Sequence, residues 1–169
     1  SATYGKALAE AGYVVIAFDA SFQGESGGEP RFVEDPTQRV EDVSRVIDYA
    51  VTLPYVDAEK IAGIGVCGGG GYVFNAALTE KRIKAVVGIT PVNIGRLFRE
   101  GFSMYNPIGA LEGMAAQRTA EARGGERLVN ELLPTSLAEA RDNGMTERDV
   151  YEATEYYKTP RGQQPGGAT

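Results

Sequence analysis

The segment Lys60–Tyr72 constrains the fold more than any other part of this sequence. It contains an apolar run, Ile61–Val66, then Cys67 and four consecutive glycines, and it leads into a helix-forming stretch, Gly71–Leu78. A continuous apolar run rich in β-branched residues is typical of a strand buried on both faces of a parallel sheet. We therefore predict a strand, a sharp turn at Cys67 and a helix.

The residues Gly65-Val66-Cys67-Gly68-Gly69 fit the pattern Gly-x-nucleophile-x-Gly. In that pattern the nucleophile occupies a strained turn with positive φ at the carboxyl edge of the sheet, where ligands bind in open α/β folds. We expect a side chain at Gly65 or Gly69 to collide with the backbone, and the glycine run to keep the backbone close to a ligand. The following helix N-terminus suits a Cys67 thiolate, and the Gly68 N–H becomes a donor to an oxyanion.

Two other interpretations of this segment remain open. Gly63-Ile-Gly65-Val-Cys-Gly68 also spells Gly-x-Gly-x-x-Gly, the dinucleotide-binding fingerprint. That motif requires an acidic residue at the end of the next strand, whereas the next predicted strand ends Ile89-Thr-Pro-Val-Asn93. The second interpretation is a buried, inert thiol, since free cysteines are among the most buried residues. The glycine run favours the nucleophile turn over both, because glycine packs poorly and costs helix stability.

Strands and helices alternate in the first half of the chain. A helix over Tyr4–Ala11 is closed by Gly12, and an apolar strand, Tyr13–Phe18, follows it. A second helix begins at Asp35-Pro36, with Asp as N-cap and Pro at the first helical position. Lys84–Thr90 has the pattern of a third strand. This order predicts an α/β fold with a parallel, doubly wound sheet.

The sequence after Pro91 has a different character, because no convincing strand follows. Ala110–Arg123 and Thr146–Lys158 have helical patterns, and Gly124-Gly125 and Asn143-Gly144 mark the links around them. A long helical excursion from an α/β sheet is usually a lid or cap over the carboxyl edge of its strands. We predict such a cap here.

Composition narrows the class of protein. The 169 residues carry a formal net charge of −6, which argues against non-specific binding to nucleic-acid phosphates. The single cysteine excludes an internal disulfide framework and a cysteine-rich zinc site. No apolar run approaches the roughly 18 residues of a membrane span and no signal peptide is recognisable, so we expect a cytoplasmic protein. The absence of histidine leaves a cysteine nucleophile without its usual general base.

Three stretches resemble, in this order, the dienelactone-hydrolase-related α/β-hydrolases: Phe18–Pro30, Leu53–Ile61 and Gly65–Tyr72. The resemblance is strongest to a bacterial group whose turn reads Gly-x-Cys-x-Gly-Gly-Gly-Tyr. It covers residues 4–100 well and extends to residues 156–163. It implies an eight-stranded hydrolase sheet with a helical insertion after the sixth strand.

On that family plan, residues 1–92 are a partial α/β-hydrolase core with about strands four to six, and residues 93–169 are a helical cap with a turn-rich tail. The plan places the catalytic acid and histidine beyond Thr169 and a second oxyanion donor before Ser1. It therefore implies that this chain is an incomplete segment. Asn93, at an alternative position for the acid, does not supply one.

The activity implied by the resemblance is hydrolysis of an ester, lactone or thioester of a small-molecule acyl substrate, with Cys67 as the nucleophile and no metal or cofactor. Phe102, Tyr105 and Tyr156 are candidates for lining the substrate pocket, although aromatic residues in helices more often belong to the core. We expect no nucleic-acid or membrane partner. The alternative is a non-catalytic or split α/β-hydrolase-like subunit that binds a small molecule, pairs with a second copy or is completed by another chain.

Polar residues around the turn have structural interpretations beside the chemical ones. Asp19 is expected to cap backbone amides of the loop Gly24–Gly28 rather than to serve as the catalytic acid. Ser26 and Asp57 are expected to be turn residues. Arg31 is expected to make a structural or solvated pair, with a carboxylate of the cap or of a substrate as the alternative partner.

Overall fold

The computed structural model describes residues 2–100, 106–129, 133–145, 147–163 and 166–167. Within them the elements follow in the order α1 (Ala2–Glu10), α2 (Pro36–Ala50), β1 (Ile61–Val66), α3 (Gly68–Thr79), β2 (Ile83–Ile89), α4 (Ile94–Glu100), α5 (Pro107–Ala122), α6 (Leu137–Asp142) and α7 (Arg148–Tyr157). None of the described helices is long and apolar enough to cross a membrane.

Strands β1 and β2 are parallel neighbours, with α3 as the connection between them. Their register pairs Ala62 with Ala85 and Val66 with Ile89, so the carboxyl ends of both strands lie at the same edge. Parallel strands need a crossover of this kind, since a tight hairpin can join only antiparallel strands. The predicted α/β fold class with a partial parallel sheet is confirmed.

Helix α3 packs against the sheet, and α2 packs against α3. The buried apolar side chains of this region come from the two helices and include Ile47 of α2 and Val73 and Ala76 of α3. Val73 lies over Gly63 of β1, where a Cβ would overlap its Cγ2 methyl. Gly63 therefore lets α3 approach β1 closely.

Local sequence signals determine where α1 ends and where α2 begins. Asp35 caps α2, since its carboxylate accepts from the backbone N–H groups of Thr37 at 2.9 Å and Gln38 at 3.3 Å, and Pro36 is the first helical residue. Gly12 follows α1 with a φ of 94°, which confirms it as the closing glycine.

The prediction of a strand at Tyr13–Phe18 is wrong for this structure. No strand is assigned there, and Tyr13 and Val14 are 66% and 53% exposed rather than buried. A strand is defined by backbone hydrogen bonds to a neighbour, and within the described residues only β1 and β2 form such a ladder. An apolar run shows that a segment suits a sheet, but the neighbour must be supplied from elsewhere in the molecule.

The second half of the described chain is helical, as predicted. The helices expected at 110–123 and 146–158 are α5 and α7, while α4 and α6 escaped prediction because they are short. Both short helices are capped by a side chain. The Asn93 side-chain oxygen accepts from the Arg96 N–H, and the Ser136 hydroxyl oxygen accepts from the Glu139 N–H.

The chain divides into two compact units, Ser1–Pro107 and Ile108–Thr169. The predicted division into a core over residues 1–92 and a cap over residues 93–169 stays a prediction. Helix α4, which begins at Ile94, groups with the first unit.

Candidate active site

Cys67 is the turn residue between β1 and α3. Its φ is 52° and its ψ is −122°, so it has the left-handed backbone that the sequence pattern predicts, and it is exposed. Such a conformation is costly for any residue other than glycine and tends to persist at functional sites, where the surrounding structure enforces it. The turn places the thiol at the carboxyl edge of the sheet.

Gly65, two residues before Cys67, and Gly69, two residues after it, differ in the space around them. A Cβ on Gly65 would overlap the carbonyl oxygen of Gly69 and lie 2.5 Å from the Gly70 nitrogen, which confirms that helix α3 passes too close for a side chain there. The same prediction for Gly69 is wrong, since a Cβ at that position meets nothing within 4 Å. Gly65 is therefore needed for close packing, while the space beside Gly69 is open.

The next two glycines face the backbone that follows β2. A Cβ on Gly70 would lie 2.8 Å from the Pro91 Cβ, and one on Gly71 would overlap the Val92 carbonyl oxygen. At these two positions a protein segment therefore lies beside the glycines, whereas the glycine run was expected to lie close to a ligand. The long glycine run in the sequence indicates a close approach at these positions, but it does not reveal which part of the chain lies there.

Cys67 is held by hydrogen bonds on both sides of its backbone. Its N–H donates to the Ile89 carbonyl at 3.0 Å, and its carbonyl accepts from the N–H groups of Gly70 at 3.0 Å and Val92 at 2.9 Å. Among the described residues no hydrogen bond uses the N–H of Gly68 or of Gly69. Two unpaired donors at a helix N-terminus, directly after the thiol, can bind a negatively charged oxygen.

Ile94, the first residue of α4, lies beside this helix N-terminus. Its Cδ1 atom would be 3.0 Å from a Cβ placed on Gly68. Ile94 therefore forms an apolar wall next to the proposed oxyanion donor. Local sequence does not indicate a role for Ile94, because its position depends on how the chain leaves β2.

Tyr72 connects α3 to the segment before α2. Its hydroxyl donates to the Glu34 carboxylate at 2.5 Å, and the same carboxylate accepts from the Arg39 guanidinium at 2.6 Å. Burial and the neighbouring Glu34 carboxylate raise the pKa of Tyr72 far above its ordinary value, so the hydroxyl remains a proton donor. This contact joins residues far apart in sequence and fixes the first turns of α3.

The loop after residue 18 is organised by its own polar residues. Asp19 accepts from the Glu25 N–H at 3.0 Å, and the Ser26 hydroxyl donates to the Asp19 carbonyl at 2.6 Å. The Arg31 guanidinium donates to the carbonyls of Gly24 and Ser26. The structural interpretations of Asp19, Ser26 and Arg31 are confirmed.

Asp57 is likewise a turn residue. It accepts from the Glu59 N–H at 3.0 Å and pairs with Lys60 at 3.0 Å. These hydrogen bonds lower the pKa of its carboxyl.

Two open cavities of about 320 and 340 Å³ lie along the loop after residue 18. Phe18, Asp19 and Ser26 line both of them, and Cys67 lines neither.

The predicted substrate-contact residues are only partly described. Phe102 and Tyr105 lie outside the described residues. Tyr156 lies in α7 of the second unit, where its ring meets the Tyr157 ring edge-on at 5.0 Å and the Arg161 guanidinium at 5.6 Å. The role of Tyr156 at a substrate stays a prediction. Within the described residues no group of three or more acidic, histidine or cysteine side chains forms a site for a metal ion.

A parallel strand, a turn with an exposed nucleophilic side chain and a helix packed close behind it are the parts from which α/β-hydrolases build an active site. The fold and the site therefore define the class as α/β-hydrolase. Within that class, the chain belongs to the family described as Serine aminopeptidase, S33, whose sequence model matches residues 1–161.

Several relatives span most of this chain. The uncharacterized protein YcjY of Escherichia coli K12 is 46% identical over 167 residues, which are 96% of this chain and 53% of YcjY. The protein PA2218 of Pseudomonas aeruginosa is 38% identical over 173 residues, 98% of this chain and 44% of its own. The crystal structure of PA2218 matches with a TM-score of 0.83 at 35% identity, over 99% of this chain and 51% of that one.

A more distant relative is named for an activity. The thiohydrolase aneE of Aspergillus aculeatus is 28% identical over 151 residues, which are 87% of this chain and 47% of aneE. The chain thus spans about half the length of the curated relatives that it matches.

Proposed function

We propose that this protein is a hydrolase of carboxylic ester, lactone or thioester bonds that uses Cys67 as its nucleophile. The observation that carries the proposal is the exposed Cys67 in a left-handed turn at the carboxyl end of β1, directly before the first residue of α3. We also propose that the turn is the Gly-x-Cys-x-Gly-Gly elbow of the dienelactone-hydrolase-related enzymes. No metal or cofactor is required for this chemistry.

The reaction begins when the Cys67 thiolate attacks the carbonyl carbon of the acyl substrate. The carbonyl π electrons move to its oxygen, and the Gly68 N–H stabilises the oxyanion. The tetrahedral intermediate then collapses, the bond to the leaving alcohol or thiol breaks, and the leaving group takes a proton. Water attacks the resulting thioester, which releases the acid and restores the thiol.

A general base is needed for both steps, and these 169 residues contain no histidine. The relatives are about twice as long as the part that this chain matches. We propose that the histidine and its acid come from residues outside the 169 and that these residues alone have little activity. Asn93, which caps α4, does not replace the acid.

The substrate is proposed to be a small acyl molecule. A relative that is itself a thiohydrolase supports thioesters among the three classes of bond. Because Ile94 lies beside Gly68, we propose that its side chain contacts the acyl group. Phe102, Tyr105 and Tyr156 remain proposed contributors to the pocket.

The proposal is tested by replacing Cys67 in the protein expressed from its complete reading frame, which includes any residues outside these 169. Turnover of p-nitrophenyl butyrate and of an aryl thioester should fall by about a thousandfold or more in Cys67→Ala. Because the chain has one cysteine, mass spectrometry can follow an acyl group on these residues without ambiguity. Unchanged turnover in a folded Cys67→Ala variant would rule out the nucleophile.

The absence of histidine favours a second candidate, a non-catalytic or split subunit that binds a small molecule or associates with a further chain or second copy. The exposed apolar segment 13–18 gives such association a surface. This candidate predicts that the wild-type protein binds acyl compounds without turnover and that Cys67→Ala leaves binding unchanged. Measurable turnover that depends on Cys67 would exclude it.

A further inference from the structure

Two residues with left-handed backbones lie side by side at the carboxyl edge of the sheet. Cys67 has a φ of 52° and Thr90 a φ of 45°. Each directly follows a strand residue, and those two residues, Val66 and Ile89, are paired in the register. Thr90 is β-branched, and a β-branched residue with positive φ is a genuine outlier that the surrounding structure must enforce.

The chain on either side of Thr90 makes hydrogen bonds to Cys67. The residue before it, Ile89, accepts from the Cys67 N–H at 3.0 Å, and Val92, two residues after it, donates to the Cys67 carbonyl at 2.9 Å. The turn at Thr90 therefore lies between the two contacts that hold the Cys67 backbone from the side of β2. A change of φ at Thr90 would redirect Pro91 and Val92 away from Cys67.

The first turn of α3 leaves room for this segment. Side chains are absent at Gly70 and Gly71, where a Cβ would be 2.8 Å from the Pro91 Cβ and would overlap the Val92 carbonyl oxygen. The open position at Gly69 shows that the glycine run is not uniformly crowded. Gly70 and Gly71 are the most crowded glycines of the run, and both face Pro91 and Val92, which indicates that the path of this segment is closely defined.

We propose that Thr90 is a positioning residue for Cys67: its left-handed backbone directs the Val92 N–H to the Cys67 carbonyl and so holds the thiol in its turn. The proposal rests on the proposed function of Cys67. The role belongs to the backbone of Thr90 and not to its hydroxyl. If the Val92 contact is lost, Cys67 can relax toward a common backbone conformation, and the sulfur moves away from the carbonyl carbon that it attacks.

The experiment compares substitutions that permit a positive φ with substitutions that prevent it. Thr90→Gly and Thr90→Asn permit it, and Thr90→Pro fixes φ near −65°. In the protein expressed from its complete reading frame, we expect Thr90→Pro to lower kcat for p-nitrophenyl butyrate by about a hundredfold while KM stays within about threefold, because a small misplacement of a reacting group is costly. The Gly and Asn variants should keep kcat within about threefold of wild type.

A second variant tests the same contact from the opposite side. Gly71→Ala adds a methyl group against the Val92 carbonyl and should lower kcat by about tenfold or more without the same change in KM. If Thr90→Pro does not fold, Gly71→Ala alone provides the test. Gly113→Ala, in α5, adds a methyl group into open space and serves as the control. Circular dichroism and Tm identify the variants that are folded.

The alkylation rate of Cys67 by iodoacetamide gives a readout that does not depend on turnover. We expect the rate to change by about threefold or more in Thr90→Pro and Gly71→Ala and to stay at the wild-type value in Thr90→Gly. A folded Thr90→Pro or Gly71→Ala with wild-type kcat and alkylation rate would overturn the proposal. So would a loss of kcat in Thr90→Gly equal to that in Thr90→Pro, since the side chain would then be responsible. Failure of the nucleophile proposal is recognised separately, by turnover that persists in Cys67→Ala.

Discussion

At the scale of single residues, the backbone conformation of Cys67 is unfavourable for a residue that has a side chain. A non-glycine residue in a sparsely populated region of φ and ψ costs about 1–3 kcal/mol. Hydrogen bonds from Gly70 and Val92 to the Cys67 carbonyl, and from Cys67 to Ile89, offset that cost. Cys67 therefore occupies a position at which glycine would be less strained.

This strain gives a prediction for stability. Cys67→Gly should be more stable than Cys67→Ala by about 1 kcal/mol, because glycine adopts a positive φ without a clash between its Cβ and the backbone. Both variants lack the thiol, so the comparison isolates the backbone. Urea unfolding measures the difference, and a Gly variant that is the less stable of the two would contradict a strained turn.

Asp42 illustrates a different residue-scale effect, a buried carboxylate in a complete hydrogen-bond network. It is 8% exposed and accepts from the Ser21 N–H at 2.9 Å, the Ser21 hydroxyl at 2.7 Å and the Gln38 amide at 2.9 Å. Burial by itself would raise the pKa of Asp42, but the hydrogen bonds and the nearby Arg39 lower it below the ordinary value of 3.8. The folded state thus favours the ionised form.

The sign of this effect determines a pH dependence. The contribution of Asp42 to the free energy of unfolding is present above pH 3.8 and is lost as the pH falls through the lower folded-state pKa. At pH 7, Asp42→Asn should lose about 1–2 kcal/mol. The difference from wild type should shrink in urea titrations below about pH 4.

A neighbour on the same helix provides the control. Glu41 pairs with Arg45 at 2.8 Å on the exposed face of α2, so Glu41→Gln should change the free energy of unfolding by less than about 0.5 kcal/mol. Equal effects of the two substitutions at pH 7 would show that the Asp42 network adds nothing beyond surface charge.

At the scale of elements, α3 links the sheet to the proposed active site. Its glycine run weakens the helix, because glycine has a poor helix propensity. Gly70 and Gly71 of that run, like Gly65 of β1, must nevertheless lack side chains for the close contacts around the turn. The sequence predicted the strand–turn–helix order from local patterns. It did not distinguish the crowded glycines from the open one, since that depends on segments distant in sequence.

Two alanine substitutions should therefore have opposite effects on stability. Gly69→Ala should stabilise α3 by about 0.5–1 kcal/mol, because its Cβ enters open space. Gly65→Ala should destabilise by about 1–3 kcal/mol, because its Cβ overlaps the Gly69 carbonyl. Thermal and urea unfolding provide the measurement, and destabilisation of similar size at both positions would refute the distinction.

At the scale of the whole molecule, exposed apolar residues in segment 13–18 distinguish this structure from an ordinary α/β sheet. Tyr13, Val14 and Phe18 are all exposed, and so are Ile64 and Val87 of the two strands. Exposed apolar surface promotes association.

We therefore expect the 169-residue chain to self-associate at micromolar concentrations, as measured by sedimentation velocity. Val14→Lys should shift the distribution toward the monomer, whereas Val129→Lys, an exposed position in the second unit, should have less effect. A chain that is monomeric throughout would show that the exposed segment does not act as an interface.

The sequence by itself determined the order of the main elements, the caps at Asp35 and Gly12, and the turn at Cys67. These features depend on residues that are neighbours along the chain: a carboxylate that reaches amides two and three positions ahead, or an apolar run that ends in glycine. Such interactions are encoded locally and can be read without a fold.

Only the tertiary structure decided which segments meet around the turn. The Tyr72–Glu34 bond joins residues 38 positions apart, and the Val92–Cys67 bond and the space at Gly70 depend on the path of the chain after β2. The same reason explains the wrong prediction for Tyr13–Phe18. An apolar run indicates that a segment suits a sheet. Its hydrogen-bond partners lie elsewhere in the molecule, and the local sequence does not identify them.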